Sequence, residues 1–371
     1  MNGLIDRSRR IFAVIIIAFL LAVVARSYPV LKLEVCLTLG TVFITTLLLI
    51  LWQCLTQKRG FAIDSPNSPT KSHAIHTKST PTSGGIVIFL SYWVVLSFLI
   101  VRKDFIFYKH EFVIFLLMGS TLAIVGFIDD LIHVRARYKL FIELILGALI
   151  YFVLRIEIFD FGIFRIHSGF IALVLFEFFF VGVINSINFI DGIDGLAGGV
   201  SIIILIVIAV LSLKMGSIPQ YFLSVYLIIV LGNFMIFNFP PALIFMGDSG
   251  SMFIGGVIGY LSLFSGTQKL TFHIYPFILV LFIPMLDVSW AIIRRLKNNR
   301  NIFFPDKQHL HHKLLRKGFS LLQTVMLLWM MTGLLALTAV ITFHSPTYIK
   351  LLVYISLLII WFVTGKIMHW I

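Results

Sequence analysis

Five aspartates stand in three short polar interruptions of an otherwise apolar chain: Asp129-Asp130, Asp191 and Asp194 in N-F-I-D-G-I-D-G-L-A, and Asp248 in F-M-G-D-S-G-S. Only 16 residues are acidic against 29 basic ones, so five acids in three compact motifs is a large share. Carboxylates at membrane depth are costly and persist where they line a cavity or bind something. Phosphate chemistry with a divalent cation is the obvious use, because hard cations such as Mg²⁺ take oxygen ligands and share their shell with substrate phosphates.

Each motif competes with a structural explanation. A lone Asp at a helix start is an ordinary cap, but adjacent carboxylates repel unless a cation lies between them. Asp129-Asp130 therefore suits metal binding or taking a proton from a phosphate or hydroxyl, with Arg135, Arg137 and Lys139 compensating nearby. Asn185, Asn188 and Asp191 are spaced i, i+3, i+6, which on a helix is one face. The Gly after each Asp permits a broken helix whose backbone lines a wet cavity; an EF-hand is excluded, since its ligand spacing and distal Glu are missing. Pro240-Pro241 ends a helix, and Asp248 then opens the next between Gly247 and Gly250. Phe245 suits stacking on a flat base, although one Phe among 37 is ordinarily a packing residue.

Two further loops carry cationic groups. H-T-K-S-T-P-T-S-G-G offers Lys78, hydroxyls and glycine amides to a phosphate, or is a solvated linker. His309, His311 and His312 lack the cysteine or carboxylate partners of a tetrahedral zinc set. Surrounded by Arg and Lys, they suit a hydrogen-bonding loop over a phosphorylated substrate.

The elements that must hold these groups are transmembrane helices. With 371 residues, 60% hydrophobic and 12% charged, and a mean hydropathy of +1.04, the chain is a polytopic membrane protein of all-α class. Apolar runs predict eleven or twelve spans, at 11–26, 31–53, 84–101, 111–128, 139–155, 168–184, 196–213, 218–237, 250–265, 273–293, 322–342 and 348–368. No stretch reads as a separate soluble domain and no internal repeat is visible, so residues 1–371 are expected to form one membrane-embedded domain. The first apolar run lacks a convincing cleavage site and reads as an uncleaved anchor. Cys36 and Cys54 read as small buried hydrophobes.

The net charge of +13 concentrates beside spans, most densely at Arg294, Arg295, Lys297 and Arg300 and on to Lys317. Such charge marks a cytoplasmic face rather than nucleic-acid binding. Placing that loop inside puts all five aspartates on the cytoplasmic side; Arg102, Lys103 and Lys109 then fall outside and run against the trend.

Together the loops resemble the polyprenyl-phosphate N-acetylhexosamine-1-phosphate transferase family of bacterial membranes (glycosyltransferase family 4). The resemblance runs from about residue 80 to 320 through T-P-T-S-G-G, D-D-x-x-x-V-x-A-R-Y-K, N-x-x-N-x-x-D-G-x-D-G-L, F-M-G-D-S-G-S and P-D-K-Q-H-L-H-H, in the family's order. H-L-H-H after I-P-M-L-D-V looks like the branch that starts O-antigen, common-antigen or teichoic-acid assembly, not the muramoyl-pentapeptide branch. Segment 11–26 is then an extra span ahead of the family's usual first helix.

The resemblance implies transfer of GlcNAc-1-phosphate from UDP-GlcNAc to undecaprenyl phosphate, releasing UMP at the cytoplasmic face of the inner membrane. Some members use UDP-FucNAc or similar donors. Mg²⁺, with Mn²⁺ as a substitute, would sit on Asn188 and Asp248. Asp129 matches the proposed base, assisted by Asp130; Lys139 matches a phosphate-neutralising lysine, and Asp191 joins the catalytic set. Asp194 and Phe245 match uracil-holding residues and Asn238 a contact nearby, with Asn185 and Lys78 on the substrate side. His309, His311 and His312 match the loop closing over the donor's sugar and phosphate end. Expected partners are the UDP-N-acetylhexosamine, undecaprenyl phosphate, the bilayer and a second copy of the chain, with no nucleic acid. A transporter of anionic sugar nucleotides would show midplane charges and repeat symmetry. A CDP-alcohol phosphotransferase would show a D-G-x-x-A-R motif that is missing.

Overall fold

The computed structural model describes residues 32–59, 63–64, 80–100, 109–167, 169–263, 271–299 and 308–368; span 11–26 and Lys78 lie outside them. Among these residues thirteen helices follow in order: α1 (Lys32–Arg59), α2 (Gly85–Ile100), α3 (Lys109–Ile132), α4 (Ala136–Leu154), α5 (Phe170–Ile190), α6 (Leu196–Met215), α7 (Ile218–Asn238), α8 (Gly247–Leu261), α9 (Tyr275–Val280), α10 (Phe282–Lys297), α11 (Leu310–Arg316), α12 (Leu321–Thr342) and α13 (Thr347–Ile367). Short strands β1 (Ile63–Asp64) and β2 (Thr80–Pro81) pair antiparallel. A second sheet has order β4-β3-β5: β3 (Ile158–Asp160) runs antiparallel to β4 (Arg165–His167) and parallel to β5 (Thr271–His273).

Among the described residues seven helices are long and apolar enough to cross a membrane: α1, α3, α5, α6, α7, α12 and α13. The other predicted spans within the described residues are also helices but fall short for separate reasons. α4 carries Arg137, Lys139 and Glu143 along its first two turns. α8 has 15 residues, about 22 Å at 1.5 Å per residue, against a hydrocarbon core of about 30 Å. The run predicted at 273–293 is broken at Leu281 into α9 and α10. Pro284 stands in the first turn of α10 and has no N–H for the carbonyl one turn back, so the helix cannot continue unbroken.

α8 is the axis of the bundle. It packs against α2, α3, α5, α6 and α7, and every residue from Ser249 to Leu261 is buried. Its G-G-V-I-G stretch lets two neighbours close in: a Cβ on Gly255 would lie 2.7 Å from Ile184 Cα of α5, and one on Gly256 2.2 Å from Leu122 Cδ1 of α3. The outer helices present apolar side chains outward, Phe170 (80% exposed), Phe178 (76%) and Ile341 (66%) among them, as a lipid-facing surface requires.

α4 ends and α5 begins at the three-stranded sheet, so that sheet caps the end of the bundle opposite Asp129 and Asp191. Its ionic centre is Asp160, 3.5 Å from His273 Nδ1 and 3.1 Å from Arg165 Nε, with the Gly162 N–H donating to its Oδ1 at 2.8 Å. The hydrogen bond from His273, then the Gly162 amide and the nearby charges, hold the Asp160 carboxyl well below the usual carboxylate range, against the opposing effect of burial. A depressed carboxyl contributes stability above its unfolded value of about 3.9 and loses it as pH falls toward the folded one. Asp160→Asn is therefore expected to cost about 1–2 kcal/mol at neutral pH. The gap in melting temperature between variant and parent should narrow as pH falls below about 4. A gap that widens on acidification would contradict this role.

Candidate active site

The opposite end of the bundle gathers two of the five predicted aspartates, Asp129 and Asp248, around one ammonium. Lys139, at the start of α4, donates from Nζ to Asp248 Oδ2 at 2.7 Å and to Asp129 Oδ2 at 3.2 Å. The adjoining end of α3 and start of α4 thus meet the sequence-distant start of α8 at one charge. Arg135 and Arg137, expected to compensate as well, point outward and are exposed. Asp129 is anchored from behind, because the Val134 N–H donates to its Oδ1 at 2.7 Å.

Asp130 does something different. The Asp248 N–H donates to its Oδ1 at 2.8 Å and the Ser249 N–H to its Oδ2 at 3.2 Å. The capping role weighed for this pair is real, but it is exercised across the bundle on the N-terminus of α8. Both oxygens of Asp130 are engaged in holding Asp248, which makes it a positioning residue. Glycines close the same turn from other sides: a Cβ on Gly85 would lie 1.9 Å from Gly250 N, and one on Gly126 2.3 Å from Asp248 O. That is why T-P-T-S-G-G matters here: Gly84 and Gly85 donate to the carbonyls of Phe245 and Met246 at 2.9 and 2.8 Å, and the Phe245 N–H donates to Pro81 O.

The last turns of α5 supply the amides. Asn188 Nδ2 donates to Ser251 Oγ at 2.8 Å, one turn along α8 from Asp248. Asn185 Nδ2 donates to Glu143 Oε2 at 2.6 Å. Asp191 leaves the shared helical face, since α5 stops at Ile190 and Asp191 is its C-cap, half-buried. Glu143, 2% exposed, was not singled out from sequence, although an acid one turn after Lys139 inside an apolar run was a usable signal.

A second cluster lies beside the first. Asp194, 3% exposed, accepts from the Ala242 N–H at Oδ2 (2.8 Å), which fastens the Pro240-Pro241 turn to the D-G-I-D-G loop. Asn238 is 3% exposed; its Oδ1 accepts from Gly195 N at 3.0 Å and its Nδ2 donates to Ile244 O at 2.9 Å. Expected as a substrate contact, Asn238 has both amide ends engaged in the scaffold. Phe245 is half-buried in the segment paired with residues 81–85.

The histidines form a third cluster. His309 and His311 are buried and their rings are parallel within 5° at 5.9 Å; His312 adjoins His311 at 4.3 Å. His309 packs on Phe189 at 5.4 Å, and the Arg295 guanidinium lies over the same ring at 6.0 Å. Gly192 has no Cβ because His311 occupies the space, 2.6 Å from where one would be. Asp287, unremarked from sequence beyond its place in I-P-M-L-D-V, faces His309 Nδ1 at 3.0 Å.

No group of three or more His, Cys, Asp or Glu among the described residues is placed to hold a metal by itself. A Mg²⁺ ion takes one or two carboxylates and completes its shell with water and substrate phosphates. Asp248 and the Asn188 carbonyl are oxygen donors of that kind, and Lys139 shows that the space between the carboxylates favours positive charge.

Comparison with known proteins places this arrangement. The family model described as Glycosyl transferase family 4 matches residues 112–266. A probable undecaprenyl-phosphate N-acetylglucosaminyl 1-phosphate transferase of Bacillus subtilis (strain 168) is 32% identical over 302 residues, 80% of this chain and 82% of that protein. An undecaprenyl-phosphate alpha-N-acetylglucosaminyl 1-phosphate transferase of Thermotoga maritima is 29% identical over 267 residues, 69% and 73% of the two chains. A phospho-N-acetylmuramoyl-pentapeptide-transferase of Geobacillus sp. (strain WCH70) is 29% identical over 287 residues, 73% and 85%. Fold, site and relatives define a multi-span membrane enzyme, a phospho-sugar transferase. The chain belongs to glycosyl transferase family 4, and within it to the branch of the N-acetylglucosaminyl 1-phosphate transferases.

The capping role of Asp130 separates structure from chemistry. Asp130→Ala should lower thermal stability in detergent by about 1–2 kcal/mol, whereas Asp130→Asn, which can still accept one amide, should lose less. Equal stability for Ala, Asn and the parent would remove the cap.

Proposed function

We propose that the protein transfers GlcNAc-1-phosphate from UDP-GlcNAc to undecaprenyl phosphate, yielding undecaprenyl-diphospho-GlcNAc and UMP. This is the first membrane step of a cell-surface polysaccharide such as O-antigen or teichoic acid, performed by the chain as one domain. The observation that carries the reading is the Lys139 ammonium held between Asp129 and Asp248 at one end of a membrane bundle. The names of the Bacillus and Thermotoga relatives support the donor and acceptor.

The acceptor is too apolar to leave the bilayer and the donor is fully soluble, so the two meet only at a membrane boundary. The site end carries Arg135, Arg137, Arg294, Arg295, Lys313 and Arg316, which supports a cytoplasmic orientation. Asp129, its Oδ1 held by Val134, takes the acceptor phosphate's proton at Oδ2. Lys139 moves from carboxylate to phosphate oxygens as the substrates enter between the two acids. Mg²⁺ on Asp248 and Asn188 would offset charge on the donor's pyrophosphate. The turn tied by Asp194, with Phe245, receives the uridine, and the His309, His311 and His312 segment meets the sugar and phosphate end.

UMP release from UDP-GlcNAc, with undecaprenyl phosphate and Mg²⁺ in detergent, tests the reading directly. No release with that pair would refute it. Asp248→Asn should abolish turnover in folded protein, because an amide is a poor ligand for a hard cation. Asp129→Asn should also abolish turnover yet leave UDP-GlcNAc affinity largely intact, measured by calorimetry.

The histidine segment should govern sugar choice more than uridine recognition. UDP-GlcNAc should be used and UDP-MurNAc-pentapeptide refused. His311→Ala should cut activity strongly while UMP binding stays within about tenfold, or 1.4 kcal/mol. Robust transfer from the muramoyl donor, or a matching collapse of UMP binding, would contradict this assignment.

A further inference from the structure

Asp287 sits in the second turn of α10 and is 2% exposed. A carboxylate so deeply placed persists only where its oxygens are satisfied. Both are, and both by the histidine segment: the Leu310 N–H donates to Oδ1 at 2.8 Å, and His309 Nδ1 lies 3.0 Å from Oδ2. A carboxylate oxygen only accepts, so Nδ1 carries the hydrogen and Nε2 is the nitrogen left to act elsewhere. The ring cannot easily turn away. Phe189 packs on it at 5.4 Å, and His311 lies parallel to it at 5.9 Å. Phe189 directly follows Asn188, so the same helix end holds both the ring and the Asp248 cluster.

We propose that Asp287 is a positioning residue that locks His309 in the Nδ1–H form, presenting Nε2 as a hydrogen-bond acceptor to a hydroxyl or amide N–H of the donor's N-acetylhexosamine. The proposal rests on the donor reading above for its ligand, but not for its tautomer. Asp287→Asn isolates the effect. Its one carbonyl must accept from the buried Leu310 N–H, so its NH₂ faces Nδ1 and forces the hydrogen onto Nε2, leaving the backbone tie intact.

The experiment combines ¹⁵N spectra of the histidine rings with kinetics in detergent. At about pH 9, above the usual imidazole range, the His309 signals, assigned by their loss in His309→Ala, should show a bare Nε2. A bare Nδ1 in the parent protein overturns the proposal whatever the substrate. In kinetics, Asp287→Asn should lower kcat/KM for UDP-GlcNAc tenfold or more, with UMP affinity changed less than about twofold. The loss should vanish in a His309→Ala background, since a residue acting through His309 has nothing left to act on. An undiminished loss in that background, or no loss in the parent, overturns it. Should Asp287→Asn fail to fold, His309→Gln serves: its carbonyl supplies an acceptor and should recover part of the activity lost in His309→Ala, and no recovery counts against Nε2 as acceptor. A bare Nε2 in a protein that releases no UMP from UDP-GlcNAc would sink the donor reading and leave the positioning standing.

Discussion

A helix that begins inside a membrane bundle exposes amides that neither water nor its own backbone can satisfy. α8 begins in this way, and the remedy is the Asp130 carboxylate, delivered from the end of α3 to the amides of Asp248 and Ser249. Much else follows from that bond. For the two segments to meet, backbone must approach backbone, which explains why Gly126 and Gly85 face the first turn of α8 with no side chain. Successive helical residues point about 100° apart, so while Asp130 turns into the bundle, its neighbour Asp129 is directed at Lys139. The pair is one element facing two ways, with one carboxylate capping α8 and the other meeting Lys139.

The other member of the pair takes part in a compact ionic cluster. Asp129 and Asp248 face a shared ammonium, and Glu143 stands one turn beyond Lys139 on α4. Two carboxylates thus share one lysine, while Glu143 is occupied by the Asn185 amide. The strength of these contacts comes from partial burial: Lys139 and Asp129 retain only 19% and 13% side-chain exposure, where screening by water is weak.

Much of this was legible before any coordinates. Eleven of the apolar runs fall on helices among the described residues, one of them on the pair α9 and α10, and the polar motifs named Asp129, Lys139, Asn188 and Asp248, which the fold brings together. What was not legible depended on tertiary partners. Asp130 and Asn238 read as chemical groups because nothing in their own segments shows that an amide from another helix occupies them. Glu143 and Asp287 lie singly inside apolar runs, where a lone acid carries no spacing to interpret. The break at Leu281 was hidden for another reason: Pro284 lies within a run apolar enough to read as one span, and hydropathy does not register a missing N–H.

The broken end of α5 explains why one loop serves three clusters. Between Asn188 and Gly195 the chain gives Asn188 to the Asp248 group, Phe189 to His309, space at Gly192 to His311, and Asp194 with Gly195 to the Pro240-Pro241 turn. A continuous helix could not do this, since Asn188 and Asp191 would stay on one face and the partners lie in different directions. Ending the helix at Ile190 lets the side chains diverge within a few residues. Such irregular backbone is tolerable at this depth only because Asn238 accepts the Gly195 amide and α11 closes over Gly192. The helix break is therefore the joint at which the carboxylate, turn and histidine clusters meet, and that meeting depends on the residues that satisfy its backbone.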